Sequence, residues 1–372
     1  MKFHYDFLIV GAGLSGAVLA RQLSDAGRSV LVVEQKDRIG GQVATSLHEG
    51  IVVHDYGPHI FHTSMEDVWE YVNRYASFYS FINAPLACYK GELYHMPFNM
   101  NTFYALWGTK TGEEARKKIE EEKAKENVTS PSNLEEQAIA LVGRTIYEKL
   151  VKGYTEKQWG RPCTELSPSI IKRLPLRFTY NNNYFTDTYS AEVKGGFSVL
   201  VENLLKGIDV VLSAPYIEER KKWDALADAI IYTGMVDELY GCELGRLEYR
   251  SLRFDVVRLN QPDFQSNAVV NYTDRDVPYT RITEHRHFDP GCSNTTSTYL
   301  TYEYPDEYKE GANACYPILD EKNAKIYSLY VEKTKKEPKP FYLAGRLGLY
   351  RYFDMDDAIK AALDLSQEIL EK

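Results

Sequence analysis

The chain has no Cys-x-x-Cys pair. Its five cysteines, Cys88, Cys163, Cys242, Cys292 and Cys315, are scattered and odd in number, so neither a zinc knuckle nor a disulfide framework is indicated. There is also no apolar stretch of about 18 residues that could span a bilayer. Positive charge is scarce: 44 Lys and Arg stand against 53 Asp and Glu, a net charge of -9. That balance argues against a nucleic acid or an anionic membrane as the main partner. Met1 to Asp6 leads straight into the apolar run Phe7 to Val10 with neither a basic segment nor a small-residue cleavage site, so the expected compartment is the reducing cytoplasm. No internal repeat or low-complexity segment is seen. With 372 residues a sizeable core is available without staples.

What is abundant is tyrosine, 29 residues. Each buried phenol needs a hydrogen-bond partner, so many are expected to line a polar cavity. The clearest unit comes first. Asp6 to Val10 reads as a buried parallel strand, Gly11-Ala12-Gly13-Leu14-Ser15-Gly16 as a turn, and Ala17, Leu19, Ala20 and Leu23 as the apolar face of a helix closed by Gly27. Ser29 to Val33 reads as a second strand ending at Glu34. Strand, glycine turn, helix, strand and acid in this order form a dinucleotide-binding βαβ unit. Gly11 suits the tight turn, Gly13 the approach of a pyrophosphate and Gly16 close helix packing. The helix N-terminus offers N–H groups, and Glu34 would accept from ribose hydroxyls.

Further along, Thr109 to Glu126 is densely charged and reads as a solvated helix. Ser132 with Glu135 predicts a capping box before a helix carrying Leu134, Ala138, Leu141 and Ile146. Gly241 to Tyr304 alternates in a way that predicts antiparallel strands with one wet face. Phe341 to Ala344 reads as a short strand, and a helix is expected from Asp354 with Ala358, Ala361, Ala362, Leu365 and Ile369 inward. Asp354 is a candidate N-cap.

NAD and FAD share the glycine fingerprint. Glu34-Gln35-Lys36-Asp37-Arg38-Ile39-Gly40-Gly41, then Lys194-Gly195-Gly196 and Ala344-Gly345-Arg346 before Asp354, resemble the FAD site of glutathione-reductase-like flavoproteins, especially their amine-oxidase branch. No second glycine fingerprint marks a separate nicotinamide domain. Arginines among tyrosines then set this chain apart from oxidases with apolar pockets: Arg173, Arg250 and Arg281 offer guanidinium forks for a diphosphate.

Tyr56-Gly57-Pro58-His59-Ile60-Phe61-His62-Thr63, Gly153-Tyr154-Thr155 with Lys157-Gln158-Trp159, Tyr279-Thr280-Arg281, and Gly345-Arg346-Leu347-Gly348 with Tyr350-Arg351-Tyr352 and Asp354 together resemble the bacterial UDP-galactopyranose mutases over nearly the full length. The resemblance implies an α/β fold: a Rossmann-like FAD-binding domain with an inserted small helical domain and an antiparallel β-sheet substrate domain. The expected division is 1–84, 193–240 and 338–372 for FAD, 100–171 for the helical domain, and 85–99, 172–192 and 241–337 for the sheet. Catalytic residues carried over are Arg173, on a loop expected to close over substrate, Arg281, His59 and His62. Substrate contacts are Tyr154, Trp159, Asn83, Tyr184, Arg250, Tyr316 and Tyr352. FAD contacts are Gly11, Gly13, Leu14, Ser15, Gly16, Glu34, Gln35, Arg38, Gly40, Gly41, His59, Arg346, Tyr352, Asp354 and Met355. Two departures stand out: Leu150 where an aromatic usually covers the uracil, and Leu349 where threonine is common.

The reaction implied is a non-redox interconversion of UDP-galactopyranose and UDP-galactofuranose through a covalent flavin N5–sugar iminium. It would require reduced FAD, an unidentified reductant, and a homodimer serving cell-surface galactofuranose synthesis. The alternatives are an FAD-dependent amine oxidase or desaturase, and a nucleotide-sugar-binding flavoprotein without turnover. No metal is expected. His59 with His62 and His285 with His287 are spaced as pairs, but neither pair has a third ligand nearby in sequence.

Overall fold

The computed structural model describes residues 4–171, 174 and 176–372. Tyr5–Val10, Val30–Val33, Asp209–Val211, Ala227–Tyr232 and Phe341–Leu343 form a parallel sheet. Their order is Asp209–Val211, Val30–Val33, Tyr5–Val10, Ala227–Tyr232, Phe341–Leu343. The chain leaves the first strand toward one edge and later returns on its other side, so the strand order reverses between Val10 and Tyr232. A crevice at such a switch point is where open α/β sheets bind ligands. The sheet is covered by the helices Leu14–Asp25, Phe197–Leu205 and Met355–Leu370, whose Leu19, Leu23, Leu200, Leu204, Ile359 and Ala362 share one core with Ile9 and Val32.

The last helix buries Ile359, Ala362, Ser366 and Ile369. The expected stripe is therefore rotated: Ala358 and Ala361 are only partly buried, because Ile359 supplies the larger apolar contact. Asp354 occupies the N-cap, yet its side chain makes no capping hydrogen bond.

A second sheet has seven strands, ordered Ala314–Pro317, Tyr249–Leu259, Thr298–Glu307, Arg281–Glu284, Val269–Tyr272, Leu86–Tyr89, Glu92–His95. It is antiparallel except where Val269–Tyr272 runs parallel to Leu86–Tyr89. That single parallel pair arises because Leu86–Tyr89 arrives from far earlier in the chain, which the local pattern could not show. A smaller sheet joins Phe61–Thr63, Tyr189–Val193 and Phe78–Ser80.

Met100–Trp107, Gly112–Glu126, Leu134–Val142 and Gly153–Trp159 make a helical lobe with its own core around Phe103, Ile119, Leu134, Ile139 and Tyr147. The charged helix is capped by Thr111 and Glu114 in a reciprocal box. The next helix is capped by Asn133, one residue beyond the expected Ser132, which instead donates to Glu136. Much of the tyrosine excess is core: Tyr5, Tyr147, Tyr330 and Tyr350 are buried with hydroxyls on Asp209, Glu135, the Gly245 carbonyl and the Glu248 carbonyl.

Candidate functional site

At the switch point the glycines are required by contact. A Cβ on Gly11, which sits at φ +108°, would lie 2.1 Å from Thr233 Oγ1. One on Gly16 would lie 2.0 Å from the Gly11 carbonyl oxygen. Gly40 and Gly41 fold back over the turn: the Gly40 N–H donates to the Ala12 carbonyl, and a Cβ on Gly41 would come within 2.9 Å of Gly13 Cα. Two glycine turns thus face each other above the N-terminus of Leu14–Asp25, where backbone N–H groups favour an anion. Leu14 and Ser15 begin that helix, and Ser15 also abuts Gly345. Glu34 is buried and accepts from the Ala12 and Lys36 N–H groups. It braces the glycine turn and keeps further lone pairs for a ribose. This cradle fits a dinucleotide pyrophosphate. Gln35 is exposed beside it. Arg38 is already engaged with Asp55, Ser46 and the Tyr56 hydroxyl.

The second cluster is assembled from distant segments. Arg281 donates through Nε to Asn271 Oδ1 at 3.1 Å and through one terminal nitrogen to the Tyr154 hydroxyl at 3.3 Å. The other terminal nitrogen is 3.6 Å from Glu303 Oε2. Burial opposes its charge, but Glu303, Tyr154 and Tyr316 hold the guanidinium pKa above its ordinary value. A quarter of the side chain remains exposed, leaving a fixed cation with room for an anion. Arg346 lies over the rings of Tyr316 and Tyr352 and donates to Gln42 Oε1 and to the Cys315 and Phe353 carbonyls. Tyr316 and Tyr352 stack at 5.9 Å, and the Tyr352 hydroxyl reaches Asp354 at 3.3 Å. Met355 opens the last helix next to them.

Tyr184 is exposed, and its N–H donates to the Asn83 carbonyl. Trp159 packs at the edge of the helical core, one turn beyond Tyr154 on Gly153–Trp159. Arg250 is buried against Gly160, and burial lowers its pKa with Arg161 adding to the effect.

His59 is partly buried, and its imidazole pKa falls to about 4, chiefly through desolvation, with Arg346 and Arg281 adding to the effect against the Gly57 hydrogen bond. Its Nδ1 bonds the Gly57 carbonyl at 2.9 Å, so this nitrogen carries the proton and Nε2 is left as an acceptor. His62 Nδ1 lies 2.9 Å from Asp187, and the ring stacks on Phe185 at 3.7 Å between centroids. The two histidines serve different neighbours and do not converge. Arg173 lies outside the described residues. The Asn181-Asn182-Asn183 run that follows is pinned: Asn99 and Asn101 donate to it, and Arg177 donates to the Asn183 and Tyr184 carbonyls.

His285 is fully buried, bonding Thr301 Oγ1 at 2.7 Å and accepting the His54 N–H. His287 is different. Although the sequence offered no third ligand, Asp263 and Glu284 stand beside it in space. Sequence reasoning also missed Glu303, Asn271, Gln42 and Asp187. Glu303 sits in the alternating run Tyr302-Glu303-Tyr304, where an acid facing inward on a strand was the available signal.

The family model described as UDP-galactopyranose mutase matches residues 149–352, and one for NAD(P)-binding Rossmann-like domains matches residues 9–75. The chain belongs to the UDP-galactopyranose mutase family. A protein of Klebsiella pneumoniae named "Probable UDP-galactopyranose mutase" is 37% identical, with 98% of this chain and 94% of that protein covered. The dTDP-fucopyranose mutase of Escherichia coli is 34% identical, with 97% of each covered. Among solved structures, a reduced UDP-galactopyranose mutase superposes with a TM-score of 0.74 at 15% identity, covering 99% of this chain and 96% of that one. A putrescine oxidase bound to putrescine gives 0.58 at 12%, covering 99% of each. The chain is therefore an isomerase of a flavoprotein family, on an α/β fold shared with amine oxidases. No helix among the described residues is long and apolar enough to cross a membrane.

Proposed function

We propose that this chain interconverts UDP-galactopyranose and UDP-galactofuranose with reduced FAD. The observation that carries the reading is Arg281: a guanidinium fixed by Asn271, Tyr154 and Glu303 yet still partly open, beside the Arg346–Tyr316–Tyr352 stack. An oxidase of apolar amines has no use for such a cation, whereas a departing nucleoside diphosphate does.

FAD would lie with its pyrophosphate on Gly11 to Gly16 and Gly40-Gly41, its ribose at Glu34, and its ring near His59, Arg346, Asp354 and Met355. When bound and reduced, it would supply a nitrogen nucleophile toward the anomeric carbon, which gives up its bond to the nucleoside diphosphate. Arg281 and Arg173 would hold the diphosphate as the anomeric bond breaks and as it reforms. Tyr154 and Trp159 would flank the base, with Asn83, Tyr184 and Arg250 completing the cleft. Neutral His59 would offer Nε2 as an acceptor without adding positive charge. His62, tied to Asp187, would support the same wall. In this reading residues 1–84, 193–240 and 338–372 serve the cofactor, 100–171 form the helical lobe, and 85–99, 172–192 and 241–337 form the substrate domain of a cytoplasmic homodimer, although Tyr189–Val193 pairs with Phe61–Thr63 and Phe78–Ser80 and not with the seven-stranded sheet.

The test is chromatography of UDP-galactofuranose incubated with dithionite-reduced and with oxidised protein. Conversion only by the reduced form is expected. Hydrogen peroxide from an amine with the oxidised form, and no sugar conversion, would replace this reading with the oxidase one. The same assay with dTDP-fucopyranose tests whether the sugar nucleotide named for the Escherichia coli relative is also converted.

A further inference from the structure

We propose that Asp263, Glu284 and His287 form a site for one transition-metal dication of the zinc class, separate from the Arg281 cluster. Glu284 ends the strand Arg281–Glu284, His287 closes the turn His285–His287 that follows, and Asp263 comes from the connection between Tyr249–Leu259 and Val269–Tyr272. His287 Nε2 lies 3.2 Å from Asp263 Oδ1 and 3.4 Å from Glu284 Oε2, and the three ligand atoms fall within 4.8 Å of one another. Ligands about 2.0–2.1 Å from a tetrahedral ion stand roughly 3.3–3.4 Å apart. Only the two carboxylate oxygens need to draw together, a shift that falls to exposed Asp263 because Glu284 is fully buried and held by three donors.

Both acids are held in place by donors that leave the inward lone pairs available. Glu284, with no exposed surface, accepts from the Phe264 and Gln265 N–H groups and the Thr298 hydroxyl. Asp263 accepts from the Ser266 N–H and hydroxyl. Hydrogen-bonded carboxylates of this kind orient metal ligands and lower the ordering cost of binding. One imidazole nitrogen with two carboxylate oxygens selects a transition metal over magnesium or calcium. Asp263 and His287 also line a cleft of about 350 Å³ with Tyr79, Ser80, Phe81, Arg286 and Asp289, from which water would complete the shell. The ion would tie the connection to the sheet. Asn267 in that connection donates to the Ala84 carbonyl, so the segment carrying Asn83 would be braced as well.

Calorimetric titration of the full-length, tag-free flavoprotein with zinc chloride tests this, with thermal unfolding as a second measurement. One ion per chain and a raised melting temperature are expected. Binding should weaken at least about tenfold in both His287→Ala and Asp263→Asn, with flavin content unchanged, and millimolar magnesium should not compete. Absent binding, or binding equally strong in Asp263→Asn and His287→Ala, overturns the site and leaves an ion-paired clamp. Competition by magnesium overturns the assignment to a transition metal. Because sugar conversion is not the readout, failure here is distinguishable from failure of the mutase reading.

Discussion

The glycine cradle and the arginine-tyrosine cleft solve the problem of holding an anion in opposite ways. In the cradle the donors are backbone N–H groups at a helix start, and side chains are excluded: the Cβ that Gly16 lacks would overlap the Gly11 carbonyl. In the cleft the donors are side-chain cations, and Arg281 stays charged under partial burial because Glu303 stands opposite. A backbone site needs little compensation, since its charge is only partial. A buried guanidinium needs a partner, because desolvating an unpaired charge is costly. On the proposed function, the contrast separates a site for a resident cofactor from one for a diphosphate that must leave and return.

Arg281→Ala is the strongest test of that contrast. It should slow sugar conversion by about 100-fold or more, the usual effect of losing one donor to a developing anion, while the purified protein stays yellow. Loss of colour together with activity would show that the two regions are not separable. Gly16→Ala attacks the other side. Flavin affinity should fall at least about tenfold, equivalent to about 1.4 kcal/mol, so that flavin is lost during gel filtration, as read from the absorbance ratio afterwards. Full occupancy would mean that the turn relaxes at little cost.

The smallest effect concerns the core between the two regions. Burial, the largest cause, with nearby His48, pushes His285 down to about 3, against about 6.5 when unfolded. The unfolded state therefore binds the extra proton between these values. The stability of the neutral ring is complete above about pH 6.5 and is lost as pH falls, by up to about 1.4 kcal/mol per unit. His285→Gln should be less stable at neutral pH, and its gap from wild type in urea midpoint should narrow toward pH 5. A constant gap would show that this histidine carries no such linkage.

The Tyr5–Val10 strand, its turn, its helix and Glu34 were legible because every part lies within one stretch of chain and obeys one spacing. Met355–Leu370 was legible as a helix but not in its rotation, since Ala358 and Ile359 offer adjacent faces and packing against Leu14–Asp25 and Phe61–Thr63 selects between them. The same limit applied to the capping residue, Asn133 rather than Ser132. In the substrate region the motifs around Tyr154, Arg281, Arg346 and Tyr352 pointed to the family, but not to what holds Arg281. Glu303 and Asn271 meet it only because Arg281–Glu284 pairs with Val269–Tyr272 on one side and Thr298–Glu307 on the other.

The sequence by itself determined the βαβ unit with its glycine turn and the presence of a helical lobe, because local periodicity and turn chemistry act over a few residues, while the mutase family was carried by the resemblance of its motifs. Tertiary structure alone decided which charges become partners. It put His285 in the core and His287 beside two acids, although only Arg286 separates them in the chain. Burial and pairing depend on strands that are remote in sequence, and the electrostatics of the cleft follow from those pairings.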